Sequence, residues 1–497
     1  MTDQTLGSWS ERARALSIRN DAFVEGRFVP AASGRTFDCV FPGTGRRVSQ
    51  VAACEADDVD RAVRSARRAF EAGSWSRMAP ADRKRVMLRF ADLLLANRDE
   101  LALLETLNVG KPITSALSGD IPSAANCIAF YGEAIDKIYG EVAPAPADFT
   151  TLVTREPLGV VAAVVPWNYP LSMTAWKLGP ALAAGNSVVV KPAEQSPFTA
   201  LRIAELAMEA GLPPGVLNVV PGLGETAGRA LGLHMDVDCV TFTGSTEVGK
   251  LFLQYAGRSN AKRVSLELGG KSPQIVMADC ADLDAAAQAV AAGIFTNAGQ
   301  VCNAGSRLIV QESVREELLE KVVARARALK PGDPLDPETR LGPLVSEPQM
   351  ERVLGYIRKG QEAGAAVVAG GGRTLLDTGG YFVEPTVFDR VENRMAIAQE
   401  EIFGPVLSTI SVSGFDEAIA VANDTIYGLA ASIWTTDLTK AHRAARAIRS
   451  GVVYVNCFDK GSMSVPFGGF KQSGFGRDKS LHAIDKYMDL KAVWFAT

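Results

Sequence analysis

Apolar residues on consecutive positions, not alternating ones, mark the strands of this chain. Residues 160–165, 187–190, 216–220 and 240–243 are runs of β-branched and small apolar side chains, the pattern of strands covered on both faces. Between them the period lengthens to that of a helix. Ser196 and Pro197 supply an N-cap and a first-turn proline. Ala200, Ile203, Ala204, Ala207 and Met208 then form one apolar stripe, which Gly211 and Pro213 end. Strand–helix–strand units with short connections predict a doubly wound parallel sheet, which takes ligands at the carboxyl ends of its strands. The rhythm resumes beyond residue 270. Strands are predicted at 274–277, 308–310, 406–410, 432–435 and 451–456, with helices over 285–296 and 314–329, so a second α/β unit is expected. The first 140 residues read as mostly helical, with helices over 57–72 and 80–105.

Composition narrows the classes. With 497 residues, 47% hydrophobic and 22% charged, the chain can bury large cores and is neither a disordered polymer nor a disulfide-stapled scaffold. Lys and Arg (52) are slightly outnumbered by Asp and Glu (56), which gives no electrostatic case for nucleic acid; an anionic cofactor needs a local site. Seven scattered cysteines without a CxxC pair argue against a disulfide framework and a structural zinc, and suit a reducing cytoplasm. The opening MTDQTLGSWSERAR has no apolar stretch of a secretion signal, and no apolar run approaches the roughly 18 residues of a membrane span. A cytoplasmic protein with no metal, nucleic acid or membrane partner is expected.

Three segments carry candidate chemistry. Cys302 sits in a Gly-punctuated segment, residues 297–306, between an apolar helix and a strand; alone it reads more readily as a buried small hydrophobe than as a nucleophile, and the motifs beside it shift that balance. Glu267 lies between Leu266 and Leu268, before paired glycines, where poor hydration raises a carboxyl pKa toward that of a general base; the other reading is a solvated strand-end glutamate. Asn168, in PWNYP directly after strand 160–165, is either an amide donor for a developing oxyanion or part of a Pro-rich turn. The three histidines, His234, His442 and His482, lie outside these motifs, so a histidine base has little support. Residues 244–250, GSTEVGK, imitate a phosphate-cradling P-loop, but Leu251 stands where the magnesium-binding Ser or Thr belongs.

Taken together, PWNYP, KPAEQSP (191–197), FTGSTEVG (242–249), LELGGK (266–271), GQVCNAGSR (299–307), EEIFGP (400–405) and PFGGFKQSGFGRD (466–478) resemble the NAD(P)-dependent aldehyde dehydrogenase superfamily over essentially the whole chain. DIPSAANCIAFYGEAIDKIYGEVAP and GRDKSLHA resemble in particular the bacterial γ-glutamyl-aminobutyraldehyde and guanidinobutyraldehyde dehydrogenases. The resemblance implies two doubly wound α/β domains, a Rossmann-like cofactor domain (1–140 and 159–270) and a catalytic domain (271–483), plus a β oligomerisation element (141–158 and 484–497). It implies Cys302 as the nucleophile, Asn168 and the Cys302 N–H as oxyanion donors, Glu267 as the base that activates water, and Lys177 and Asp478 as hydrogen-bonding partners of Glu267.

For the cofactor it implies Lys191 and Glu194 at the adenosine ribose, Ser245 at the pyrophosphate, and Gly224 and Gly228 near the adenine. Glu401, Phe403 and Trp167 would meet the nicotinamide end, with Val165, Phe242 and Leu268 also in the site. A ribose-facing carboxylate repels a 2′-phosphate, so NAD is favoured over NADP. The helix after Ser245 is expected to bury Val248, Leu251, Phe252 and Tyr255.

Tyr169, Met173, Trp176, Phe295, Asn303, Asp459 and Phe467 are implied to line the aldehyde tunnel, with Asp120 and Asp459 as anchors for a cationic tail or as helix and turn caps. Val301, Ala298 and Tyr169 depart from the commonest family residues without removing a catalytic group. The implied substrate is an ω-amino, guanidino or γ-glutamylamino aldehyde of polyamine or arginine breakdown. A broad aliphatic and aromatic aldehyde oxidiser, and a non-catalytic nucleotide-binding or structural protein on the same fold, are the alternatives. A homodimer or homotetramer is implied, joined through residues 141–158 and 484–496, and alternation over 150–155 predicts an exposed strand awaiting a partner.

Overall fold

The computed structural model describes residues 6–496; residues 1–5 and Thr497, which fall within the expected cofactor and oligomerisation spans, lie outside the described residues. The N-terminal part packs helices α1 (Ala56–Ala72), α2 (Pro80–Ala96), α3 (Arg98–Val109) and α4 (Ile121–Ala134). The single helix expected over 80–105 is two, because the chain turns at Asn97 (φ −101°, ψ 24°), whose side chain bonds back to the Leu93 carbonyl at 2.8 Å. This region is also less helical than expected: it holds two antiparallel hairpins, Ala22–Val24 with Arg27–Val29 and Thr36–Phe41 with Arg46–Ala52.

A sheet of β1 (Val160–Val164), β2 (Ser187–Lys191), β3 (Leu217–Val219), β4 (Cys239–Thr243) and β5 (Arg263–Glu267) follows, parallel in the spatial order β5-β4-β1-β2-β3. Antiparallel edges extend it: Ala22–Val24 pairs with β3, and Gly474–Phe475 with β5. Val161, Ala163, Val188 and Val190 face one apolar core, and Val160, Ala162, Val189 and Val240 face another, which is why these strands read as unbroken apolar runs. The crossovers include α5 (Pro170–Ala184), α6 (Phe198–Ala210) and α7 (Thr246–Gly257). Helix α6 begins one residue later than predicted. Pro197 is its N-cap, the buried Ser196 hydroxyl bonds to none of the described residues, and the Asn108 side chain of α3 accepts the Phe198 N–H instead. In α7 the buried residues are Gly249, Phe252 and Ala256, whereas Val248, expected inside, is exposed.

The second unit is a seven-stranded sheet around β6 (Pro273–Val276) and β7 (Arg307–Gln311), parallel except at the edge strand Ala366–Ala369. Its helices include α8 (Leu283–Phe295), α9 (Glu312–Ala328) and α10 (Glu347–Glu362). A three-stranded antiparallel sheet stands apart, with Phe149–Pro157 between Glu141–Ala143 and Met488–Ala496. The strand expected to await a partner is thus the central one, paired on both sides within the chain. The exposed apolar side chains Leu490, Trp494 and Phe495 lie on the edge strand Met488–Ala496. No described helix is long and apolar enough to cross a membrane.

Candidate active site

The carboxyl ends of β1, β4 and β5 converge, as the winding of the sheet requires. β1 leads into residues 166–169, β4 into Gly244 and Ser245, and β5 ends at Glu267. Opposite them lies the loop that carries Cys302 toward β7. Between the two is a cavity of about 790 Å³, and Asn168, Glu267 and Cys302 all line it.

The Cys302 loop is tightly wound. Asn297, Ala298 and Gly299 take left-handed backbone angles in succession (φ 51°, 54° and 72°), two of them without glycine's freedom, so the turn stores strain that neighbouring contacts must hold. Those contacts are visible. The Gln300 carbonyl accepts from the Asn168 side chain at 2.9 Å and from the Asn297 side chain at 3.2 Å, and Asn297 also bonds the Asn168 carbonyl at 3.0 Å. One Asn168 amide proton is thereby used, which leaves its second for the cavity. Gly270 is pressed against the other side of the loop: a Cβ there would meet the Cys302 carbonyl at 2.5 Å. Burial, followed by the carboxylates Glu401, Glu267 and Asp459, pushes the Cys302 thiol up to about 12, against a lowering bond from the Asn303 backbone. Such a thiol needs a base before it attacks.

Glu267 is 4% exposed, and neither carboxylate oxygen finds a hydrogen-bond partner among the described residues. Burial, then the Asp478 charge, drive its pKa well above the usual carboxylate range. The expected bonds from Lys177 and Asp478 to Glu267 are not made. Lys177 Nζ lies 2.5 Å from Asp478 Oδ2, both fully buried, and Lys486 holds Asp478 Oδ1. Burial raises the Asp478 carboxyl, but the two lysines outweigh it and hold it below the ordinary value. Their attraction goes into the ion pair, and Glu267 is left beside it as the uncompensated acid.

The other expected cofactor residues spread along the mouth of the first sheet. Lys191, at the end of β2, is buried and bonds Glu194 at 3.3 Å. A Cβ on Gly228 would meet nothing nearer than the Lys191 stem at 4.0 Å, and one on Gly224 would meet nothing, so both open a face beside this pair. Ser245 is the N-cap of α7, its hydroxyl accepting the Val248 N–H at 3.2 Å, and the buried Thr243 hydroxyl behind it has no partner among the described residues. A helix N-terminus with an orphaned hydroxyl, next to open glycine faces and a lysine–glutamate pair, fits a dinucleotide's pyrophosphate and ribose. Val165, Phe242 and Leu268 are core side chains that shape the backbone here. Lys250 of the P-loop-like segment turns away to Gln472 at 2.9 Å.

Glu401 reaches Gly270 N–H at 3.0 Å, and only a residue without Cβ fits at Gly269, where that atom would lie 2.2 Å from the Glu401 carboxylate. Burial lifts Glu401 to about 7. Phe403, in left-handed geometry (φ 58°), meets Trp167 edge-on at 5.2 Å.

At the far end of the cavity Trp176 packs against Phe467 (5.5 Å), with Tyr169, Met173, Asn303 and Asp459 also on the wall. Two expectations need correction. Phe295 is not on the wall but in the core beside the second sheet, because the last turn of α8 points it inward with Ile294 and Val290. Asp120 lines the cavity, but its carboxylate is 2.7 Å from Lys111, with both side chains buried, so its charge is already matched. Asp459 is exposed and accepts from Asn303 at 2.8 Å.

Several site-forming residues escape sequence reasoning. Gln349 and Arg352 on α10 hold residues 401–403 through backbone carbonyls, Gln349 Nε2 to Phe403 O at 2.8 Å and Arg352 to Glu401 O at 2.9 Å. They lie about fifty residues from the motif they support, with no local signal. Gln300 sits inside GQVC and could have been found there, since a polar residue two places before a nucleophile invites a role. Lys479, stacked 4.6 Å over Trp176, immediately follows Asp478.

The model of the aldehyde dehydrogenase family matches residues 28–493. An aminoacetaldehyde dehydrogenase of Pseudomonas aeruginosa is 53% identical over 97% of this chain and 97% of its own. Among solved structures, an indole-3-acetaldehyde dehydrogenase complexed with NAD+ is 59% identical, with TM-score 0.98 over 99% of this chain and 100% of its own. A gamma-glutamyl-gamma-aminobutyraldehyde dehydrogenase from Burkholderia cenocepacia is 56% identical, with TM-score 0.97 over 99% of each chain.

Proposed function

The chain belongs to the aldehyde dehydrogenase family and is an aldehyde-oxidising enzyme, and from that premise we propose that it works with NAD through a thioester on Cys302. The observation that carries this is the meeting of Cys302, Glu267 and Asn168 on one cavity at the carboxyl ends of the first sheet. Glu267, with a pKa raised toward that of its proton donors, takes the thiol proton, and Cys302 Sγ bonds to the aldehyde carbon. The carbonyl oxygen becomes an oxyanion that the free Asn168 amide proton and the Cys302 N–H hold. The dinucleotide supplies a hydride acceptor for the C–H of this adduct. Glu267 releases the thiol proton to solvent and then removes a proton from water, whose oxygen attacks the thioester carbon; the C–S bond breaks, the sulfur takes that proton from Glu267, and the carboxylic acid and the thiol are released. Lys177 and Asp478 act from behind, keeping the net charge near Glu267 low.

Lys191 and Glu194 would hold the adenosine ribose, Ser245 the pyrophosphate, and Glu401 and Phe403 the nicotinamide end. The Glu194 carboxylate favours NAD over NADP. Residues 1–140 and 159–270 would form the cofactor domain, 271–483 the catalytic domain, and 141–158 with 484–497 the contact of a homodimer or homotetramer, built on the exposed apolar edge strand Met488–Ala496. The protein would work in a reducing cytoplasm, with its seven cysteines as free thiols.

The substrate class we infer is an ω-amino, guanidino or γ-glutamylamino aldehyde. The two relatives named for amino-substituted aldehydes support it, as does Asp459 at the exposed end of the cavity. The aromatic wall of Tyr169, Trp176 and Phe467, with the indole-3-acetaldehyde relative, favours a second reading, an aromatic aldehyde. An aldehyde panel assayed with NAD and NADP in parallel separates them. Higher kcat/KM for amino and guanidino aldehydes with NAD is expected; a clear preference for hexanal or benzaldehyde overturns the substrate class.

A further inference from the structure

Helix α5 has an unusual beginning. Its N-cap, Tyr169, offers no side-chain acceptor to the first turn, and Pro170 at the first position has no N–H, so Leu171 carries the first donor to be satisfied. Leu171 is fully buried, and its acceptor comes from another helix: Glu105 Oε1 on α3, at 2.9 Å. The same oxygen accepts from the Thr199 hydroxyl in the first turn of α6, also at 2.9 Å. One turn on, Asn108 Oδ1 accepts the Phe198 N–H at 3.0 Å. Just past the helix, Lys111 stacks 3.7 Å over the Tyr169 ring. Glu105 on α3 and Lys111 just past it therefore hold Leu171 and Tyr169, the residues that follow Asn168, while the Gln300 carbonyl holds the Asn168 side chain itself.

We propose that Glu105 is a positioning residue, fixing through the Leu171 N–H the segment that aims the Asn168 amide into the cavity. This rests on the reading of Asn168 as oxyanion donor. Asn108 provides an internal control, because it caps α6 from the same helix with the same kind of buried bond but does not lead to Asn168.

The test is the single-turnover rate of NADH formation in E105A, E105Q, N108A and N168A, with thermal melts alongside. E105A should lose roughly 10- to 100-fold in rate with the aldehyde KM little changed, the scale expected of a misplaced reacting group. E105Q, whose amide oxygen can accept both bonds, should restore it. N108A should melt earlier, as E105A does, yet keep its rate within about twofold, since only a packed cap is lost. In an N168A background E105A should cost nothing further. Should E105A fail to fold, E105D, one methylene short of Leu171, takes its place. Equal rate losses in E105A and N108A, or a slow E105Q, or full additivity with N168A, would overturn the inference. If N168A itself keeps the full rate, the reading of Asn168 falls first and this inference falls with it.

Discussion

The two ends of the cavity treat charge in opposite ways. At the outer end both acids have company, Asp120 bonded to Lys111 and Asp459 to Asn303, and the Lys479 ammonium rests on the Trp176 ring. At the inner end the Lys177–Asp478–Lys486 cluster is closed on itself, and Glu267, beside it, has no partner among the described residues. Burial raises the pKa of Asp120 and Glu401 as well as that of Glu267, but of the three only Glu267 has both carboxylate oxygens without a hydrogen-bond partner among the described residues. The contrast marks Glu267 as the acid whose carboxylate is left free to exchange a proton.

Removing the inner end should have the largest effects. C302S should lower kcat by on the order of 10³-fold or more, read as NADH formation, because the alcohol is the weaker nucleophile and its ester the less activated acyl group. E267Q should cost about 10²- to 10³-fold. It should also erase the acid limb of the pH–rate profile: Glu267 acts when ionised, its pKa is raised, and so the wild-type rate climbs as pH rises through that raised value. A profile unchanged in E267Q would show that another group is the base.

Asp478 sharpens the comparison from the structural side. Its folded pKa is depressed, so its stabilisation is present above the ordinary aspartate pKa and disappears as pH falls through the lowered one. D478N leaves Lys177 buried without its counter-ion and should cost about 3 kcal/mol in denaturant melts at neutral pH. The smallest change is expected at the outer end. D459N, at an exposed carboxylate, should shift the preference for cationic over uncharged aldehydes by less than about tenfold, whereas D120N, which leaves Lys111 buried without its counter-ion, should act chiefly on stability as D478N does. A larger shift in D120N would reverse the order of the two acids.

The parallel strands were legible because burial on both faces leaves consecutive apolar positions, and Cys302, Glu267 and Asn168 because each sits in a loop or at a strand end of distinctive composition. What escaped depends on distant partners or on the phase and turns of the backbone. Ala22–Val24 is only three residues long and becomes a strand by pairing with β3, nearly two hundred residues on. Phe295 lies seven residues before Cys302, yet the phase of α8 turns it into the core. The ion pairs that decide which acids are silent, Lys111 with Asp120 and Lys486 with Asp478, are set by backbone turns that no local period encodes. Family resemblance joined Lys177 and Asp478 to Glu267, whereas in the structure they bond to each other.

The central claim is a covalent one, and it is most directly tested by weighing the cysteine. E267Q incubated with NAD and an aldehyde, quenched in acid and digested, should yield a peptide containing Cys302 heavier by the mass of the aldehyde less two hydrogens, the acyl group that replaces the thiol proton. An unmodified Cys302 peptide in a sample that has formed one equivalent of NADH and released no carboxylic acid would contradict the account.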